Sequence, residues 1–131
     1  MCATVRRDYL RRITIAYPSL GFNRLPRWVE GDYECAEVPV SWADWSGGVR
    51  NALQQIMAAA GSGESVAVFT SGGPIGVCVQ TILGAPDIKA AELNWRIHNG
   101  SVTRFTFSGD RVSLDRFNDV AHLNSEILTY R

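Results

Sequence analysis

Most of the residues that announce a simple function are scarce in this chain. Of its 131 residues three are cysteine, Cys2, Cys35 and Cys78, too few and too scattered for a disulfide framework, and no Cys-x-x-Cys pair offers zinc or redox chemistry. That usage is expected of a reduced, cytoplasmic chain. Charge of one sign is not in excess: lysine plus arginine number 13, as do aspartate plus glutamate. No global field therefore points to nucleic acid or to an anionic membrane. Long hydrophobic runs are missing too. Arg6, Arg7, Arg11 and Arg12 lead into an apolar stretch at 13–17 that is far too short for a signal peptide or a membrane span. There is no internal repeat, low-complexity segment or Gly/Ser/Pro-rich linker, so residues 1–131 read as a single domain, able to bury about two thirds of its unfolded surface.

Specific motifs are also wanting. No Gly-Lys-Ser or Gly-Lys-Thr follows a glycine-rich turn, which excludes a P-loop. The acidic run Asp32, Glu34, Glu37 has no recognisable ligand spacing and reads as a polar loop, so neither a metal nor a cofactor is expected. The histidines, His98 and His122, have no sequence-local partner to tune them and read as structural. Cys78 lies in an apolar helical run and reads as a small buried hydrophobe.

What is present is organised around residues 65–83. Val66, Ala67, Val68 and Phe69 form a short apolar run with β-branched members, the pattern of a strand covered on both faces. Thr70, Ser71, Gly72 and Gly73 turn the chain, and Pro74 suits the first turn of a helix that continues to Leu83. The glycines allow positive φ or close approach of another group. A helix N-terminus at the carboxyl end of a strand favours an anion such as phosphate, which makes Ser71, Gly72 and Gly73 the candidate binding residues. Ser71 does not sit in a nucleophile elbow, because Phe69 occupies the first glycine position of Gly-x-Ser-x-Gly.

The flanks are regular. Val5, Tyr9, Ile13 and Ala16 mark a helical face, and Pro26 opens a short turn through Val29. Ser41 with Asp44 resembles a capping box, and Trp45, Val49, Leu53, Ile56, Met57 and Ala60 repeat at helical spacing before Gly61. Arg50 is offset from that stripe and reads as a surface or supporting residue. A short helix from Pro86 and Asp87 to about Leu93 precedes a change of period. Thr103, Phe105 and Phe107 then alternate with polar residues as a strand. Ser108-Gly109-Asp110 reads as a hairpin turn into residues 111–115, and His98-Asn99-Gly100 fits another hairpin turn.

The order Phe69-Thr70-Ser71-Gly72-Gly73-Pro74-Ile75 resembles the second signature of the histidine phosphatase superfamily, the phosphoglycerate-mutase-like enzymes, in which a strand ends in Ser-His-Gly-Gly. Leu93, Asn99, Ser101, Val102, Phe105, Phe107, Arg111, Leu114, Phe117, Asn118, His122 and Leu123 follow the order of that family's closing strands, and residues 42–56 resemble its preceding helix. The resemblance covers about 42–123 and makes His98-Asn99-Gly100 the loop entering the first closing strand, the reading preferred over a hairpin turn. It implies an α/β fold, a three-layer α/β/α arrangement with a mostly parallel sheet, here incomplete and truncated at its amino-terminal side.

It also implies phosphoester chemistry through an Arg-His-Gly histidine as phospho-acceptor, arginines and a second histidine on the phosphate, and a carboxylate as acid. Neither His98 nor His122 stands in an Arg-His-Gly, and Ser71 stands where the second signature has histidine. The expectation is a protein related to phosphoester hydrolases and mutases but inactive as the chain stands, with no assigned catalytic residue. Its ligand would be a phosphorylated small molecule. The alternative is a non-catalytic module that binds a protein or phosphorylated ligand. In the family the strand at 66–69 is flanked by the Arg-His-Gly strand. Its open edge here predicts a homo-oligomer, unless the amino-terminal helix covers it.

Overall fold

A computed structural model of the chain describes residues 24–31 and 38–130. The expected amino-terminal helix and the acidic run Asp32, Glu34, Glu37 lie outside the described residues. Four helices come first: α1 (Leu25–Val29), α2 (Trp42–Ala59), α3 (Gly72–Ile82) and α4 (Ile88–Asn94). An antiparallel hairpin of β1 (Val102–Ser108) and β2 (Arg111–Asp119) follows, and a 3-10 turn at Ser125–Ile127 leads to the tail.

Each helix begins for a local reason. Pro26 occupies the first turn of α1, where a missing N–H is harmless. Ser41 caps α2: its Oγ accepts from the Asp44 N–H at 3.1 Å and donates to the Asp44 carboxylate at 2.8 Å, so aspartate completes the expected box. α3 starts at Gly72 with Pro74 in its first turn, and Gly84, at φ 61°, follows its C-terminal end.

The core is helical and aromatic. Trp28, Trp42 and Trp45 meet with ring centroids 5.2 to 5.6 Å apart, the first two edge to face. Leu25 and Val49 join them from α1 and α2, with Val77, Ala90 and Ala91 from α3 and α4. The Trp28 indole N–H donates to the Val40 carbonyl at 3.0 Å, and that of Trp42 to the Asp87 carboxylate at 2.8 Å. Farther along α2, Leu53, Ile56 and Met57 of the expected apolar stripe are half-buried.

The hairpin turns through Gly109, at φ 57°, with Ser108 opposite Arg111, Phe107 opposite Val112 and Phe105 opposite Leu114. Thr103, Phe105, Phe107, Val112, Leu114 and Phe117 are half-buried along it, while the intervening Arg104, Thr106, Ser113 and Asp115 are exposed. β2 runs to Asp119, past the expected end at 115. Asn118, at φ 56°, closes it with a polar knot: its side chain accepts from the His98 N–H at 2.8 Å and donates to the Arg96 carbonyl at 2.7 Å. His98 also bridges Tyr130, and Asn99 donates from its N–H to the Thr129 carbonyl at 2.9 Å, which holds the tail against the loop entering β1.

The segment 66–69, expected as a strand covered on both faces, joins no ladder among the described residues, and Val66, Val68 and Phe69 are 46, 58 and 87 % exposed. β1 pairs antiparallel with β2, and among the described residues the sheet has no third strand.

Candidate functional site

The turn at Ser71, Gly72 and Gly73 lies where the apolar segment 66–69 leads into α3. Ser71 is extended, at φ −91° and ψ 171°, and its exposed side chain makes no capping bond to the helix. Among the described residues nothing accepts from the Gly72 or Gly73 N–H. Pro74 has no N–H, and Ile75 reaches the Ser71 carbonyl only at 3.5 Å. Two backbone donors without an acceptor among the described residues therefore stand at the positive end of an eleven-residue helix, preceded by the exposed Ser71.

Neither glycine has positive φ; at Gly72 it is close approach that requires glycine. A Cβ on Gly72 would lie 2.6 Å from the Asn94 Oδ1 and 3.4 Å from the Asn94 carbonyl oxygen. Asn94, the last residue of α4, is 7 % exposed, and its Oδ1 is buried with no hydrogen-bond partner among the described residues. The sequence reading missed it, because an asparagine near a short helix end carries no signal of its own.

Arg50 was read as a supporting residue, and its reach is wider than that. Its guanidinium donates to Thr81 Oγ1 at 3.1 Å, Ser46 Oγ at 3.0 Å, Gln80 Oε1 at 3.5 Å and the Asp87 carboxylate at 3.2 Å. It ties α2 to the end of α3 and to the segment entering α4. The Ser46 to Arg50 spacing was legible as one helix face, but the partners on other elements were not.

The histidines are engaged locally, His98 with the Asn118 amide at 3.1 Å and the Tyr130 ring at 4.1 Å, and His122 with the Gly100 carbonyl at 2.9 Å. Cys78 is half-buried on α3, and desolvation pushes its thiol up from 9.0 to about 11, which leaves it protonated and unreactive near neutrality. Among the described residues no three His, Cys, Asp or Glu side chains gather as metal ligands, and no helix is long and apolar enough to cross a membrane. A groove of about 720 Å³ between α1 and α4 is lined by Pro26, Glu30, Ile88, Glu92, Trp95 and Arg96, none of them from the turn.

Comparison with protein families decides the relationship: the family model of the histidine phosphatase superfamily (branch 1) matches residues 23–120. The chain belongs to that superfamily. No curated protein and no solved structure matches it. For a histidine phosphatase superfamily member the α/β class follows, and the match takes in α1 to α4 and both hairpin strands. It begins earlier than the resemblance read from residues 42–123. The turn lies inside the match.

Proposed function

We propose that this histidine phosphatase superfamily chain binds a small phosphorylated ligand at Ser71, Gly72 and Gly73 and does not turn it over by itself. The reading is carried by one observation: the Gly72 and Gly73 N–H groups, at a helix N-terminus, have no acceptor among the described residues. Phosphoryl transfer by the superfamily's route needs a histidine acceptor, and position 71 offers a hydroxyl in place of imidazole. A charge-assisted hydrogen bond is worth about 1.5–3 kcal/mol against about 1 for a neutral one, so that replacement alone weakens transition-state binding about tenfold. Loss of the acceptor is far more damaging.

The proposal extends to setting and shape: a cytoplasmic protein without a cofactor, whose segment 66–69 belongs to a mostly parallel, three-layer sheet completed by further strands. Exposure of Val66, Val68 and Phe69 supports that completion, and a second copy of the chain is the occupant we propose for the open edge.

The test is turnover of an aryl phosphate ester by the purified chain together with an amide-resolved titration with phosphate. We expect no turnover above background, and movement of the Ser71, Gly72 and Gly73 amide signals at millimolar phosphate. Turnover abolished by Ser71→Ala would establish a serine nucleophile instead; turnover that survives Ser71→Ala would place the chemistry elsewhere. Unmoved amides would remove the binding site.

A further inference from the structure

The loop that enters β1 carries the groups for a covalent change of the chain by itself. Asn99-Gly100 is the single asparagine–glycine pair in the sequence. An asparagine amide lies close to the backbone of the residues that follow it, and glycine, with no Cβ, leaves the approach of its own nitrogen open. Both residues are exposed, so water reaches them. The Gly100 N–H has no acceptor among the described residues, so no hydrogen bond is lost when that nitrogen reacts. The other described asparagines are worse placed. Asn51 lies inside α2, where the following N–H belongs to the helix. Asn94 and Asn118 precede Trp95 and Asp119, and Asn124 precedes Ser125 while accepting from the Glu126 N–H at 3.3 Å.

We propose that Asn99 is a self-modification site, which deamidates with water as the only co-reactant, and that the carboxyl-terminal tail both restrains this reaction and is released by it. The Gly100 nitrogen attacks the Asn99 Cγ and gives up its proton. The bond from Cγ to Nδ2 breaks, the amide nitrogen leaves as ammonia, and a succinimide ring remains. Water then opens the ring at either carbonyl, leaving aspartate or isoaspartate; nothing is oxidised or reduced, and the chain gains one negative charge.

The restraint is a pair of bonds to one residue. Asn99 Nδ2, the leaving nitrogen, donates to Thr129 Oγ1 at 3.0 Å, and the Asn99 N–H donates to the Thr129 carbonyl at 2.9 Å. Next to them His98 bridges Tyr130, with ring centroids 4.1 Å apart. Departure of the amide breaks the bond to Thr129 Oγ1. The two products then differ in effect. Aspartate accepts from the Thr129 hydroxyl in place of the lost bond and keeps the backbone as it was. In isoaspartate the main chain runs through the former side-chain carbons, which puts one extra atom between residues 99 and 100 and takes the loop out of step with residues 129–130. Isoaspartate is therefore the form that frees the tail.

The experiment is incubation of the full chain at pH 8 over weeks, followed by peptide mass mapping and amide-resolved NMR. We expect a mass gain of about 1 Da confined to the peptide that holds residue 99, and none there in Asn99→Gln, whose longer side chain must close a less favourable ring. Thr129→Val removes the hydroxyl that holds the leaving nitrogen and should speed the gain about fivefold, the worth of one neutral hydrogen bond. Thr129 is exposed, so this change leaves the core intact. In the aged chain the Thr129 and Tyr130 amide signals should move, whereas Asn99→Asp, which copies the other product, should leave them near their starting positions. No mass gain at residue 99, or a gain as fast at Asn51 or Asn124, overturns the site. An unchanged rate in Thr129→Val overturns the restraint by the tail, and unmoved Thr129 and Tyr130 signals in the isoaspartate form overturn its release.

Discussion

Gly72 and Gly76 lie one turn apart on α3 and are glycine for the same reason, crowding by α4. A Cβ on Gly76 would come within 2.4 Å of the Ala90 carbonyl oxygen, which is backbone and cannot swing aside. Gly76→Ala should therefore lower stability by about 1–3 kcal/mol, the range for overpacking, seen as an earlier urea midpoint. At Gly72 the obstacle is a side chain, Asn94, so Gly72→Ala should be milder in stability and more damaging to phosphate binding, which the same urea series and the titration would separate. Cys78 supplies a pH dependence. Its folded pKa is raised to about 11 from 9.0 by burial, so the unfolded chain loses this proton first as pH rises. The Cys78 contribution to stability is fully present below about pH 9 and lost progressively toward pH 11. Cys78→Ala should flatten the fall in urea midpoint across that window, and an undiminished fall would assign it to other groups.

At the scale of elements, α2, α3 and the segment entering α4 are joined through one guanidinium. Arg50 reaches Ser46 on its own helix, Gln80 and Thr81 on α3, and Asp87 before α4, while Asp87 also accepts from Trp42. The Arg50 and Asp87 side chains are 32 and 46 % exposed, so the ion pair itself contributes little, and the planar fork that spans several partners contributes more. Arg50→Ala should destabilise by about 1–2 kcal/mol, and Arg50→Lys should restore only a minor part of the loss, since one ammonium cannot serve partners on separate elements. Thermal melts of both variants would show it. A lysine variant as stable as the natural chain would reduce Arg50 to a simple surface charge.

At the scale of the whole molecule, helices and strands are unequally covered. The helices close a tryptophan core, whereas the hairpin's apolar side chains remain half-buried and Phe69 is 87 % exposed. An exposed apolar segment that joins no ladder among the described residues is a template for another strand. We predict that the purified chain associates through residues 66–69, giving a dimer or larger species by light scattering, and that Phe69→Asp shifts it toward monomer. A well-dispersed natural monomer whose Val66, Val68 and Phe69 amides are protected from hydrogen exchange would mean that the edge is covered from within the chain.

The local features were legible in the sequence because neighbours along the chain determine them. Helical spacing placed α2, Ser41 with Asp44 announced its cap, Pro74 its place in α3, and Gly109 the hairpin turn. Family membership was legible as well, through the ordered residues around Ser71, Gly72 and Gly73. Tertiary structure alone decided the rest, since it depends on groups far apart in sequence. A strand's two sides are filled by whichever segments reach them, so the apolar run at 66–69 could signal a wish for burial but not its fulfilment. Likewise the glycine at 72 was visible, while the carbonyl of Asn94 that demands it came into contact only when α4 folded back across the start of α3.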